Sequence, residues 1–153
     1  MKIKLLAVSK LRDSNLDAIF SSYMKRLQHY SEFEFINIKP LKAKDILDQK
    51  RSDAELIIKK LSSDDFLVLL DEKGREFTSY QFAAWMEGKI NSGLKSLVFI
   101  IGGTYGFDEK LSNRSNEKIS LSKFTLPHML VKIIFAEQLY RTFTILKNEK
   151  YHH

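Results

Sequence analysis

Two apolar runs without a polar interruption, Phe66-Leu67-Val68-Leu69-Leu70 and Leu97-Val98-Phe99-Ile100-Ile101, constrain this chain more than any other feature. Each is far shorter than the ~20 residues of a membrane helix. Each is also too continuous for a strand with one wet face. A strand apolar at every position belongs inside a parallel sheet covered on both sides. The flanking segments agree. Strands are predicted over 2–8 and 33–38 and a short last one over 118–121, with 71–76 as a loop. Helices are predicted from Ser14 to about Tyr30, over 43–61, from Ser79 to about Ile90, from Asp108, and from Pro127 to Leu146 or Lys147. This alternation predicts an α/β fold, a mainly parallel open sheet with helices on both faces. Ligands of such sheets bind beyond the carboxyl ends of the strands. That singles out Leu70-Asp71, the 102–106 turn and the 121–127 segment.

At 153 residues, with only 2 Pro and 6 Gly and no visible repeat, the chain is expected to form a single domain over 1–153. It has no Cys, so disulfides, thiolate catalysis and Cys-ligated metal are excluded. The opening residues 1–8 lack the length and cleavage site of a signal peptide. A cytoplasmic protein without a membrane segment is expected. Lys and Arg outnumber acidic residues 25 to 19, a net charge of +6 that favours a polyanionic partner, nucleic acid first.

Ile101-Gly102-Gly103-Thr104-Tyr105-Gly106 follows a buried strand, where glycines allow close backbone approach to a ligand or simply a tight turn. It has neither dinucleotide-fingerprint nor phosphate-loop spacing. The four His, at 29, 128, 152 and 153, show no metal-ligand spacing, so no metal is expected. In the last helix, Met129-Leu130-Val131 and Ile133-Ile134-Phe135-Ala136 place apolar residues all round, with only Lys132 between them. Such a helix needs cover on every side, and a second subunit is the simplest cover. Further along, Glu137 and Arg141 are spaced to pair on the helix surface.

Five strings in register extend the reading. Leu69-Leu70-Asp71-Glu72-Lys73-Gly74, the glycine turn, Leu121-Ser122-Lys123-Phe124-Thr125-Leu126-Pro127-His128, Phe135-Ala136-Glu137-Gln138-Leu139-Tyr140-Arg141 and the terminal Tyr151-His152 resemble segments of the ribosomal RNA large subunit methyltransferase H family, of the SPOUT class. Leu6-Ala7-Val8-Ser9-Lys10 echoes its start. Ser9, Lys132 and Thr142 depart from the family's usual Gly, Arg and Ala. The resemblance implies a C-terminal deep trefoil knot and a homodimer. It implies S-adenosylmethionine as methyl donor and transfer to N3 of a pseudouridine in 23S ribosomal RNA within assembled ribosomes. Cofactor positions carried over are Leu70, Gly103, Leu121, Ser122, Lys123, Phe124, Thr125 and Leu126. Two catalytic hypotheses come from the residues themselves: Arg141 stabilising charge on the base carbonyls, and His152 as near-neutral base. The rival readings are a non-catalytic ribosome- or RNA-binding protein of the same fold, and a flavodoxin-like nucleotide-binding module.

Overall fold

The computed structural model describes residues 1–151. In chain order the elements are β1 (Lys2–Val8), α1 (Ser14–Leu27), β2 (Glu32–Ile38), α2 (Ile46–Ile58), β3 (Phe66–Glu76), α3 (Ser79–Asn91), β4 (Ser96–Ile101), α4 (Glu109–Arg114), β5 (Glu117–Ser120) and α5 (His128–Leu146). Among the described residues the strands form one sheet, ordered β2-β1-β4-β3-β5, with every pairing parallel. The expected architecture is therefore present.

The period of two along each strand sorts the core into two layers. Ile3, Leu5, Ala7, Val68, Leu70, Leu97, Phe99 and Ile101 face α1, α3 and α5, which contribute Phe20, Leu27, Phe82, Met86, Phe135 and Leu139. Leu6, Val8, Leu67, Leu69, Val98 and Ile100 face α2 and α4 through Ala54, Ile57 and Leu111. The two continuous apolar runs are thus central strands that need cover on both faces. Burying one such side chain contributes ~1.5–3 kcal/mol.

Helix starts follow local capping chemistry. The Asp13 carboxylate accepts from the N–H groups of Asn15 and Leu16 at 2.9 and 3.1 Å, so Asp13, not Ser14, caps α1. Asp45 caps α2 by accepting from the Asp48 N–H at 2.9 Å, and the helix begins later than its composition suggests. Thr78 and Gln81 form a reciprocal capping box at the start of α3.

The segment 71–76, expected as a loop, belongs to β3. It pairs with β5 in two stretches, Val68–Leu70 with Glu117–Ile119 and Arg75–Glu76 with Ile119–Ser120, separated by a register shift. The residues between them arch out of the ladder. A Cβ on Gly74 would lie 2.5 Å from the Ile119 backbone N, so only glycine fits where the arch crosses β5. Non-local pairing, invisible to a local pattern, decides this segment. Strand β5 is tied further to α3: Glu117 accepts from Trp85 Nε1 at 2.9 Å and pairs with Lys89.

Helix α5 is better covered within its own chain than its composition suggests. It packs against both α1 and α3, with Phe135, Ala136 and Leu139 fully buried. Lys132 is engaged too, pairing with Asp17 at 2.6 Å and lying over the Phe20 ring at 5.2 Å. Leu130 stays exposed and Ile134 is half-buried, one turn apart on the same face.

Candidate active site at the carboxyl ends of the strands

A cavity of about 600 Å³ opens where β3, β4 and β5 end. Its walls come mainly from three segments, Leu70 to Lys73, Ile101 to Phe107, and the stretch from Leu121 to Val131, with Lys50, Ser112 and Lys118 completing them. Of the predicted cofactor positions, Leu70, Gly103, Leu121, Ser122, Phe124, Thr125 and Leu126 line it. Lys123 does not; its ammonium reaches out to Glu76 at 3.4 Å. Between β5 and α5 the backbone is pinned locally. The Ser120 hydroxyl donates to the Ser122 carbonyl at 2.9 Å, and the Phe124 N–H donates to Ser122 Oγ at 2.9 Å. These bonds set a turn that leaves the Phe124 ring 82% exposed at the cavity rim.

Gly103 has a different neighbour from the one expected. A Cβ there would collide with the Asp53 carboxylate on α2, not with the cavity. The glycine lets the turn sit on a buried acid. Asp53 accepts from Gln49 Nε2 at 2.8 Å, and burial pushes its carboxyl above the usual carboxylate range. Sequence reading missed Asp53. Its one available signal is an acid beside Ala54 and four residues after Gln49, on the helix face that carries Ile57.

His128, the first residue of α5, lines the large cavity and also a second one of about 250 Å³. The second cavity lies beside the end of β1, with Ser9, Arg12, Asp17, Phe20, Ser21, Phe35, Asn37 and Lys132 among its walls. His128 Nδ1 is buried without a hydrogen-bond partner among the described residues. Burial holds its pKa below the ordinary imidazole value, so the ring is neutral at pH 7. In the sequence it reads as no more than a polar residue near a helix start.

Arg141 lies elsewhere. Thirteen residues beyond His128 on one helix, it sits about 20 Å further along the axis. It lines neither cavity. Its guanidinium pairs with Glu137 at 2.5 Å and covers the Tyr151 ring at 4.9 Å. Tyr151 also donates to Glu137 at 3.3 Å and packs edge-on against Tyr140. Burial and its hydroxyl contacts push the Tyr151 phenol well above its ordinary pKa. His152 lies outside the described residues. Among the described residues no group of three or more His, Asp or Glu could hold a metal ion, and no helix is long and apolar enough to cross a membrane.

A parallel sheet whose last strand leads through a pinned turn into a long helix, with a cavity at that junction, defines a class. Residues 1–152 match the family described as predicted SPOUT methyltransferase, and the chain belongs to it. Within that class it is similar to proteins named ribosomal RNA large subunit methyltransferase H. The one from Christiangramia forsetii is 49% identical over 156 residues, covering 100% of this chain and 99% of the relative. Those from Flavobacterium psychrophilum and Cytophaga hutchinsonii are 46% and 44% identical, again covering 100% of this chain and 99% and 100% of the relatives.

Proposed function

We propose that this protein is an S-adenosylmethionine-dependent methyltransferase that modifies N3 of a pseudouridine in 23S ribosomal RNA on assembled ribosomes. It works as a cytoplasmic homodimer of a single domain over 1–153. The observation that carries the reading is the 600 Å³ cavity, walled by seven of the eight positions assigned from sequence. Its size falls within the ~300–1,000 Å³ typical of sites that enclose a small molecule. Its walls suit a nucleoside-linked sulfonium: Leu70, Ile101, Leu126 and Val131 offer an apolar slot and the two loops offer backbone donors and acceptors, while Asp71 and Glu72 share the wall with Lys50, Lys73 and Lys118, a mixed-charge rim for a zwitterionic ligand. When bound, this cofactor supplies a methyl group that is already electrophilic. The chain's own task is to orient the acceptor and manage its proton.

Arg141 and His152 keep their proposed roles, as charge stabiliser and base, in the neighbouring subunit's site. The Arg141–Tyr151 cluster is about 20 Å along α5 from the cavity of its own chain, which favours action across a dimer. Leu130 and Ile134 supply the face for that dimer. The class also implies a knotted C-terminal segment. With a net charge of +6, phosphate contacts supply affinity while the ribosome supplies shape.

The test is incorporation of labelled methyl into ribosomes from a strain lacking this enzyme, followed by nucleoside analysis. One N3-methylpseudouridine per large subunit is expected. Incorporation into another base, or binding of S-adenosylmethionine with no incorporation, overturns the reading.

A further inference from the structure

Given the function proposed above, on which this inference rests, we propose that the Tyr105 ring is a stacking platform for the nucleotide next to the acceptor, and that Lys50 beside it meets the phosphates of the same RNA strand. Only three aromatic side chains are exposed among the described residues, Tyr80, Tyr105 and Phe124, and the last two both line the large cavity. Phe124 belongs to the segment already assigned to the cofactor. Tyr105 does not. It stands 51% exposed, and neither its ring nor its hydroxyl has an aromatic, cationic or hydrogen-bond partner among the described residues. The turn that carries it is nevertheless closed. The Gly106 N–H donates to the Gly103 carbonyl at 3.0 Å, Gly106 takes a φ of 77°, and Gly103 rests on Asp53. With both ends of the turn held, Tyr105 loses little backbone freedom on meeting a ligand.

Charge fixes the kind of partner. The cavity wall carries Lys50, Lys73 and Lys118 against Asp71 and Glu72, and none of these lysines is in an ion pair among the described residues. The proposed cofactor has one carboxylate against an ammonium and a sulfonium, so it answers at most one lysine and adds positive charge of its own. A positive surplus remains at the mouth, and the RNA backbone is the anion that the proposed reaction brings there. Lys50 is placed to meet it. It lies one helical turn before Asp53 on α2, and Asp53 sits under Gly103, so Lys50 flanks the turn that holds Tyr105. The reaction also supplies a partner for the ring. N3 lies on the pairing edge, and its base must leave the stack to reach a donor held in a cavity. The next base then shows a bare face, which an aromatic ring at the cavity mouth covers. Every base has such a face, so Tyr105 sets affinity for the strand and not the choice of base.

The experiment measures kcat and KM on ribosomes lacking the methyl group, together with S-adenosylhomocysteine affinity, mass by light scattering and the melting transition. Tyr105→Ala should raise KM for ribosomes about tenfold, the middle of the range for loss of one base–aromatic stack, and leave kcat near wild type. Tyr105→Leu keeps apolar bulk without a π face and should behave like Tyr105→Ala, whereas Tyr105→Phe should stay near wild type. Cofactor affinity, mass and melting should hold in all three, because the ring has no partner to lose. Lys50→Gln should lower the slope of log ribosome affinity against log salt by roughly one. A wild-type KM in Tyr105→Ala overturns the proposal, as does full activity in Tyr105→Leu or an unchanged salt slope in Lys50→Gln. Weakened S-adenosylhomocysteine binding in Tyr105→Ala also overturns it by giving the ring to the cofactor, and a change in mass does so by giving it to a second copy. If wild type methylates no ribosomes, the functional reading fails instead.

Discussion

The two ends of α5 have opposite characters. At its start, His128 stands between two cavities with a buried nitrogen unmet, and Leu130 and Ile134 face outward. At its far end several polar groups are tied together. Glu137 holds Arg141 and Tyr151, Tyr30 donates to Glu149 at 2.5 Å, and Tyr30 stacks on Phe143 with ring centroids 5.5 Å apart. One end is built to receive, the other to hold itself still. If the proposed dimer forms, this rigid end is the part of α5 available to the neighbouring site.

The largest expected effect breaks the rigid end. Deleting Tyr151 to His153 should lower turnover on ribosomes by roughly 100-fold or more, the lower range for loss of an acid–base group, with ribosome binding and S-adenosylhomocysteine affinity nearly intact. Wild-type turnover in the truncated chain would make the tail a passive end. Next, Ile134→Asp puts a charge on the outward face near the receiving end. Loss of buried apolar contact there costs ~1.5–3 kcal/mol per large side chain, and light scattering should report monomer. A wild-type monomer at micromolar concentration would remove the dimer altogether.

Glu137→Gln and His128→Leu sharpen the comparison directly. The first removes the negative charge that Arg141 and Tyr151 share at Glu137 and should destabilise by about 1–3 kcal/mol, the range for weakening hydrogen bonds to a charged group. The second removes a nitrogen that has no partner to lose, so the denaturation midpoint should hold or rise. Equal losses at both ends would dissolve the distinction.

The smallest effect lies under the glycine turn. The Asp53 carboxyl is raised in the fold by burial, so its contribution is present below the unfolded value, ~3.9, and is lost as pH climbs through the raised folded value. Melts of wild type against Asp53→Asn should show wild type losing ground as pH rises from about 4 to 7. A constant gap would deny the burial. Gly103→Ala should weaken S-adenosylmethionine binding, and Asp53→Ala in the same chain should restore it by clearing the collision.

The fold was legible because its decisive signals are local. Uninterrupted apolar runs at 66–70 and 97–101 demand a two-sided layer, whereas the capping of α1 by Asp13 and of α2 by Asp45 emerged only in the structure. The large cavity was legible because chain order and sheet rules send it to the strand ends. Other features depend on contacts far apart in sequence. Whether 71–76 is loop or strand depends on β5, some forty residues later. Asp53 meets Gly103 only once α2 has packed on the sheet. The position of His128 beside two cavities follows from where they meet, which spacing along the chain does not encode.

The arch at residues 71–74 also has a consequence in time. Synthesis delivers the chain from its amino end, and the first four strands leave the ribosome before β5 does. Until residues 117–120 arrive, β3 offers an open sheet edge and the glycine turn faces an unfinished wall. The large cavity therefore takes shape only once residues 118–131 have joined the fold, and nothing can bind in it before then.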